Sequence, residues 1–407
     1  MSFLTFLRDN AQWLMAGVLL SFLSSFGQTF FISIFAGEIR DEFGLSNGQW
    51  GGIYTLGTGL SAVVMVWAGA LTDRFRARAL GFVVLVLLAL ACVAMSVSRG
   101  VVMLIITVFL LRFAGQGMTS HIAIVAMSRW FVAARGRALS IAVLGFALGE
   151  AMLPLAFVAL KRSQDWRDLW LAAAGIVMIG MLVLMMLLRR ERTPKSIAET
   201  SASPGMEGRH WTRSQALHHW LFWLMIPVIM GPPAFVTTFF FHQVHFAQTK
   251  GWDHVALVAL YPAYTAIGMA FVFAWGALLD RVGTGRLLPF AHLPAAAAFA
   301  IFGMVDTVTG TAVGLVCLAV TIGAQSTLPM AFWAEYFGTR NIGSIKAMAA
   351  GAMVLGSALG PGIAGTLIDA GIDIQVQYLG IAAWFLAGSL AMAVGLHRAR
   401  GLLATAP

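Results

Sequence analysis

The sequence predicts an all-α membrane protein with twelve transmembrane helices in two pseudo-symmetric six-helix bundles. Three observations predict it. Hydrophobic residues make up 59% of the chain and charged residues only 11%, against about 25% charged in a typical soluble domain. Apolar runs of about 20 residues, long enough to cross roughly 30 Å of hydrocarbon, recur from end to end. One phrase also occurs twice, GALTDR at 69–74 and GALLDR at 276–281, with a separation of 207 residues in a chain of 407. A repeat on that scale implies two structurally similar bundles.

The apolar runs must be helices, because lipid offers no partner for an unpaired backbone amide. The roughly ten-residue alternating segments of a barrel are absent. Segment 1 (12–36) has no convincing small-residue cleavage site and is expected to stay as a helix rather than be removed as a signal peptide. Segment 2 (50–71) closes on the first copy of the repeated phrase, and segment 3 (79–97) holds Cys92. Segment 4 (101–127) carries Gly115 and Gly117, segment 5 (136–160) carries Pro154, and segment 6 (168–189) ends the first bundle, 1–189. A polar stretch rich in Arg, Glu, Ser and Pro, 190–218, reads as a cytoplasmic linker. The second bundle, 219–407, opens with segment 7 (219–243), which contains Pro227, Pro232 and Pro233. Segment 8 (256–279) closes on the second copy. Segments 9 (286–305), 10 (309–333, with Cys317), 11 (343–368, with Gly356, Gly360 and Pro361) and 12 (374–396) complete the count. Small residues let such helices approach closely, and prolines kink them where neighbours re-satisfy the freed carbonyls. Both cysteines lie in apolar helices, so no disulfide framework is indicated.

The repeat leaves one register open. The offset of 207 also relates Gly136 to Gly343, Gly149 to Gly356 and Pro154 to Pro361, whereas VLGFALG at 143–149 matches VLGSALG at 354–360 with an offset of 211. The two alignments differ by one helical turn.

A net charge of +9 invites a nucleic-acid partner, but its distribution argues otherwise. With both termini in the cytoplasm, 19 of the 26 Lys and Arg fall on that side. Six fall outside (Arg40, Arg99, Lys161, Arg162, Arg167, Lys250), and Arg112 lies within a helix. This is the positive-inside pattern. It points to a bacterial inner membrane with both termini cytoplasmic and to no nucleic-acid partner. No glycine loop followed by Lys-Ser/Thr offers an ATP site, so no cofactor is expected. The loops are too short for a catalytic or signalling domain, and no nucleophile–base constellation converges, so an enzyme is not expected.

GALTDRFRAR at 69–78 and GALLDRVGTGR at 276–286 resemble the loop signature of the major facilitator superfamily, and the resemblance covers essentially the whole chain. It implies secondary active transport by alternating access. Gly69, Asp73, Arg74, Gly276, Asp280 and Arg281 would then form a gating motif. Asp73 and Asp280 sit just past the cytoplasmic ends of their helices, where the macrodipole disfavours a carboxylate. The likeness implies that Asp73 meets segment 11 and Asp280 meets segment 5 when the cytoplasmic side is closed. The first copy departs from the pattern, with Phe75-Arg76 where a glycine is common.

Only Glu150 among 17 acidic residues, and only Arg112 among the basic ones, lies deep in a helix. Both fall roughly 15 Å below the outer surface at about 1.5 Å per residue. Charges at that depth face a partner or a wet cavity. Two readings stand: Arg112 attracts an anion while Glu150 carries a proton, or the two form a structural ion pair. In the resembled fold segments 1, 4, 7 and 10 line the central cavity. That places Gln28, then Arg112, Gln116 and Thr119 at i, i+4, i+7, then Phe235, Thr238, His242 and His245 at i, i+3, i+7, i+10, and finally Thr321 and Gln325. A mixed polar and aromatic lining suits a small polar solute. Two histidines without a third ligand are too few for zinc, so no metal is expected.

RWFVAARGRALSIAVLGFALG at 129–149, FFFHQVHFAQTKGW at 239–252 and the AEYFGTRNIGSIKAM…LGPGIAGTLID stretch at 334–369 resemble the monocarboxylate and oxalate–formate branch. That likeness implies an organic-anion substrate, coupled to protons or a counter-substrate, in a monomer. A helix-8 arginine frequent in the branch is missing, since 256–279 contains no basic residue. The rival reading is a drug or metabolite exporter.

Overall fold

The computed structural model describes residues 3–131, 135–189, 204–338 and 340–403, and among these every regular element is a helix. The first span, α1, is broken into Ala11–Gly27 and Thr29–Phe43, bent by 48°. It is followed by α2 (Asn47–Ala68), α3 (Ala77–Val97), α4 (Val101–Trp130), α5 (Arg135–Leu160) and α6 (Trp166–Leu187). The second half contains α7 (Trp220–Phe241), α8 (His254–Val282), α9 (Thr284–Met304), α10 (Val308–Phe337), α11 (Ile342–Asp369) and α12 (Ile374–Leu402).

The chain folds as two compact units. One comprises Met1–Glu199 together with Phe240–His245, the other Thr200–Phe239 and Phe246–Pro407. In the first, α1 packs along α5, α2 along α4 and α3 along α6. In the second, α8 packs along α10, and α9 along both α10 and α12.

Glycine seats resolve the open register. A Cβ on Gly145 would lie 1.9 Å from the Val18 carbonyl, and one on Gly149 would lie 2.0 Å from Ser25 Oγ, so α1 rests directly on the α5 backbone. In the second unit a Cβ on Gly356 would meet Met230 at 2.4 Å, and one on Gly360 would meet Ala234 O and Thr238 Oγ1 at 2.6 Å, both on α7. Gly145 thus corresponds to Gly356 and Gly149 to Gly360, the offset of 211. The 207 match between Pro154 and Pro361 is not an equivalence. Pro154 lies nine residues beyond the first seat and Pro361 five.

The two copies of the repeated phrase fold differently. In the second, Gly276, Asp280 and Arg281 lie inside α8, which runs to Val282 and stops at Gly283 with φ +83°. Asp280 therefore belongs to the last turn rather than lying past it. In the first, Gly69 already caps α2, and Leu71–Arg74 forms a separate short turn ending at extended Phe75. Glycine tolerates a positive φ that Arg76, the counterpart of Gly283 at the 207 offset, resists, so a helix without glycine at that point ends elsewhere. The Asp73 side chain and linker residues 190–203 lie outside the described residues. The rest of the linker is folded onto the second unit. Trp211 N–H donates to Phe337 O (3.1 Å), Asn341 donates to Trp211 O (3.0 Å), and Thr212 with Gln215 forms a capping box.

Candidate functional site

Two helices lose regularity at one place in the first unit. α1 breaks at Gln28, which is extended at φ −85°, ψ 153°. α4 opens into a π-helical stretch over Arg112–Thr119, a device that marks functional sites in many helices. The local sequence explains both. Gly27 and Gly115 cross so closely that a Cβ on Gly27 would lie 2.1 Å from Leu111 O, and one on Gly115 would lie 2.6 Å from the Gly27 Cα. The widened turn is held by Thr119 Oγ1, which donates to Ala114 O, five residues back, at 2.6 Å.

Arg112 fills the junction. Its side chain is 2% exposed. Nη1 donates to Gly27 O at 3.1 Å, a carbonyl at the α1 break, and to Thr29 Oγ1 at 3.3 Å. The guanidinium stands 5.4 Å from the Tyr54 ring centroid, and the Tyr54 hydroxyl hydrogen-bonds Thr29. Its Nε has no hydrogen-bond partner, and among the described residues no carboxylate pairs with it. The ion pair with Glu150, one of the two readings of the matched depths, is therefore not formed. Glu150 is half-buried on α5, next to the Gly149 seat. Pro154 has no N–H to return to the Glu150 carbonyl.

The segment Phe240–His245 completes this side of the site. Phe241 lies 4.6 Å from the Tyr54 ring and stacks on Trp50 at 5.6 Å. Gln243 donates to Ser33 Oγ (2.8 Å) and Phe30 O (3.2 Å), and Ser33 in turn donates to Phe240 O (2.6 Å). His242 is buried against Phe241, with ring centroids 5.0 Å apart. α7 is interrupted at that residue before Gln243–Thr249.

Of the residues singled out in the sequence, Arg112, Gln28 and Gln116 converge here, and both amides are half-buried. Thr119 does not share their face. A π-helical turn advances each residue by less than an α-helical one, so i+7 swings off the face that i and i+4 still share, and the Thr119 hydroxyl is spent on Ala114 O within α4. Thr238 and Gln325 belong to the second unit. Thr238 donates to Ala234 O at 2.9 Å. Gln325 donates to Ile229 O at 3.2 Å, the carbonyl that Pro233 would otherwise leave orphaned, and also hydrogen-bonds buried His292. Both amide ends are thus engaged internally.

The loop that carries the first copy of the repeated phrase has partners that sequence reasoning missed. Arg129 on α4 donates to Thr72 O at 2.5 Å, the Thr72 hydroxyl donates to Gly69 O at 2.7 Å, and His121 lies 3.5 Å from that hydroxyl. Thr29 and Tyr54 were also missed. Neither is charged, and only the fold brings them to Arg112.

A family model described as Major Facilitator Superfamily matches residues 17–361. The chain belongs to the Major Facilitator Superfamily. It is similar in fold to a bacterial homologue of the human lysosomal transporter Spinster. The unoccupied inward-facing structure gives a TM-score of 0.64 at 16% identity, covering 97% of this chain and 96% of that one. The occupied inward-facing structure gives 0.68 at 15% identity, covering 96% and 94%. A point mutant of the nucleoside transporter NupG gives 0.69 at 13% identity, covering 95% and 100%. No curated protein sequence matches the chain. This facilitator is a multi-pass membrane transporter, and identities this low carry the fold alone.

Proposed function

We propose that this facilitator moves a small organic anion, most simply a monocarboxylate, by alternating access, with both termini in the cytoplasm. One observation carries the reading: a guanidinium 2% exposed, without a carboxylate among the described residues. A buried charge left unneutralised is costly, and an incoming anion offsets that cost. A carboxylate approaching Arg112 finds an unpartnered Nε–H with Nη2 on the same edge, the guanidinium being held from its other side by the bonds of Nη1 to Gly27 and Thr29. That is the forked donor geometry a carboxylate accepts. Tyr54 supplies an aromatic wall, and Gln28 and Gln116 supply amides for the rest of the solute. Glu150, at the same depth on α5, is the proposed proton carrier. Asp73 and Asp280, with Gly69, Arg74, Gly276 and Arg281, are the proposed gate.

The test is uptake into proteoliposomes. Labelled small monocarboxylates are offered under an inward proton gradient, against export of lipophilic cations. Saturable anion uptake that is lost in Arg112→Gln and loses its proton dependence in Glu150→Gln supports the reading. Cation export with no anion uptake replaces it with a drug exporter. Uptake of neutral solutes alone overturns the role of Arg112.

A further inference from the structure

At the opposite end of the first unit from its outer loops, α3 begins and α6 ends beside a cavity of about 580 Å³. Three guanidiniums rim it: Arg76 and Arg78 at the start of α3, and Arg189 just after α6. All three are exposed, and among the described residues none has an ion-pair or hydrogen-bond partner. The remaining wall is apolar, formed by Phe82 and Val83 on α3, Met185 on α6 and Leu188 at its C-cap. Phe82 and Val83 are 44% and 61% exposed and point toward lipid rather than into the bundle.

The positive-inside pattern accounts for basic residues at this end, but not for their convergence. Topology is satisfied by charges anywhere in the loops. Here three heads surround one cavity with no acid lining it among the described residues, and the cavity continues into an apolar trough where α3 and α6 enter the membrane. We infer that this is a binding site for an anionic diacyl phospholipid, with the phosphate among Arg76, Arg78 and Arg189 and an acyl chain along Phe82, Val83 and Met185. The apolar wall selects a lipid over a free phosphate, and the rim selects an anionic over a zwitterionic headgroup.

Purified full-length protein is equilibrated with mixed micelles of dioleoylphosphatidylglycerol and dioleoylphosphatidylcholine, and retained lipid is read by native mass spectrometry. The wild type should retain phosphatidylglycerol in preference. The triple variant Arg76→Gln, Arg78→Gln, Arg189→Gln should lose that preference by roughly a hundredfold, at about fivefold per arginine near a membrane surface. Arg398→Gln with Arg400→Gln, which leaves the cavity intact, should keep it. Phe82→Ser with Val83→Ser should weaken retention of the lipid without restoring phosphatidylcholine. Equal retention of both lipids, or unchanged preference in a triple variant that elutes as folded, overturns the site. Displacement by millimolar glycerol phosphate identifies a soluble anion instead and overturns the lipid assignment.

Discussion

Replacing Arg112 by methionine should leave the protein about as stable as before while abolishing anion transport. The guanidinium makes two hydrogen bonds, to Gly27 O and Thr29 Oγ1, and charge-assisted bonds contribute about 1.5–3 kcal/mol each. Its stand over Tyr54 at 5.4 Å adds up to about 2 kcal/mol when desolvated. Against this stands the cost of holding an unpaired cation at 2% exposure, several kcal/mol per buried ion. The two sides nearly cancel. Methionine restores an apolar side chain of similar length, and Thr29 retains its bond to Tyr54, so the net change should stay within about 2 kcal/mol. A paired buried ion behaves differently, since removing one partner typically costs about 3–5 kcal/mol. Thermal unfolding of purified Arg112→Met should therefore track the wild type within a few degrees. Anion affinity should fall by the value of a buried charge pair, about 3 kcal/mol or roughly 150-fold. Arg112→Lys, which keeps the charge but not the fork, should lie between. If Arg112→Met fails to fold while Arg112→Lys folds normally, the arginine is a structural pin. If Arg112→Met transports normally, the anion site is elsewhere.

Gln325→Leu should cost about 1–3 kcal/mol in thermal unfolding, because it orphans Ile229 O beside Pro233 as well as the His292 ring. An unchanged transition with altered transport would instead make Gln325 a solute ligand. Gly145→Ala should depress folded yield strongly, since its Cβ would lie 1.9 Å from Val18 O, whereas Gly136→Ala, which opens into free space, should be neutral. Equal yields of the two variants would contradict the packing seat. At the entry to α7, the Leu221 N–H donates to His219 Nδ1 at 3.3 Å. Burial, and then Arg209, lower the His219 pKa from its ordinary 6.5. Because the folded value is depressed, the contribution of His219 is complete above pH 6.5 and is lost as pH falls below it. Hydrogen exchange of peptides spanning 206–224 should accordingly show lower protection at pH 5 than at pH 7.5. His219→Gln should flatten that difference, and a difference that survives in the variant would place the titration elsewhere.

The spans were legible because lipid leaves little choice. Hydropathy marks twelve runs, and charge asymmetry supplies an orientation to test. The depth of Arg112 was legible too, as a count of residues from the segment end. Its partners were not. Spacing arguments assume 100° per residue, and the π-helical stretch at Arg112–Thr119 breaks that assumption where the site begins, so Thr119 leaves the expected face. Matched depth suggested Glu150 as a mate, but depth says nothing about azimuth, and Arg112 turned to a carbonyl freed by the break at Gln28. Gln325 read as a cavity amide because no pattern announces that a proline one helix away needs a donor. The repeat misled in one helix for a simpler reason: glycine and proline are common enough in membrane helices to align by chance at 207.

The register of the glycine seats has a consequence for how such a chain can change. Gly145 lies 76 residues beyond Gly69 and Gly356 lies 80 beyond Gly276, so one copy carries four residues more between the repeated phrase and its seat. At 3.6 residues per turn, four residues rotate everything downstream by about 400°, only some 40° from where it began. Two residues would rotate it by about 200° and swing both glycines away from the helix they seat. Length variation between the halves is thus filtered in steps of a whole turn. Insertions or deletions of three or four residues ahead of Gly145 or Gly356 should survive selection in a random library, while those of one, two or five residues should be purged.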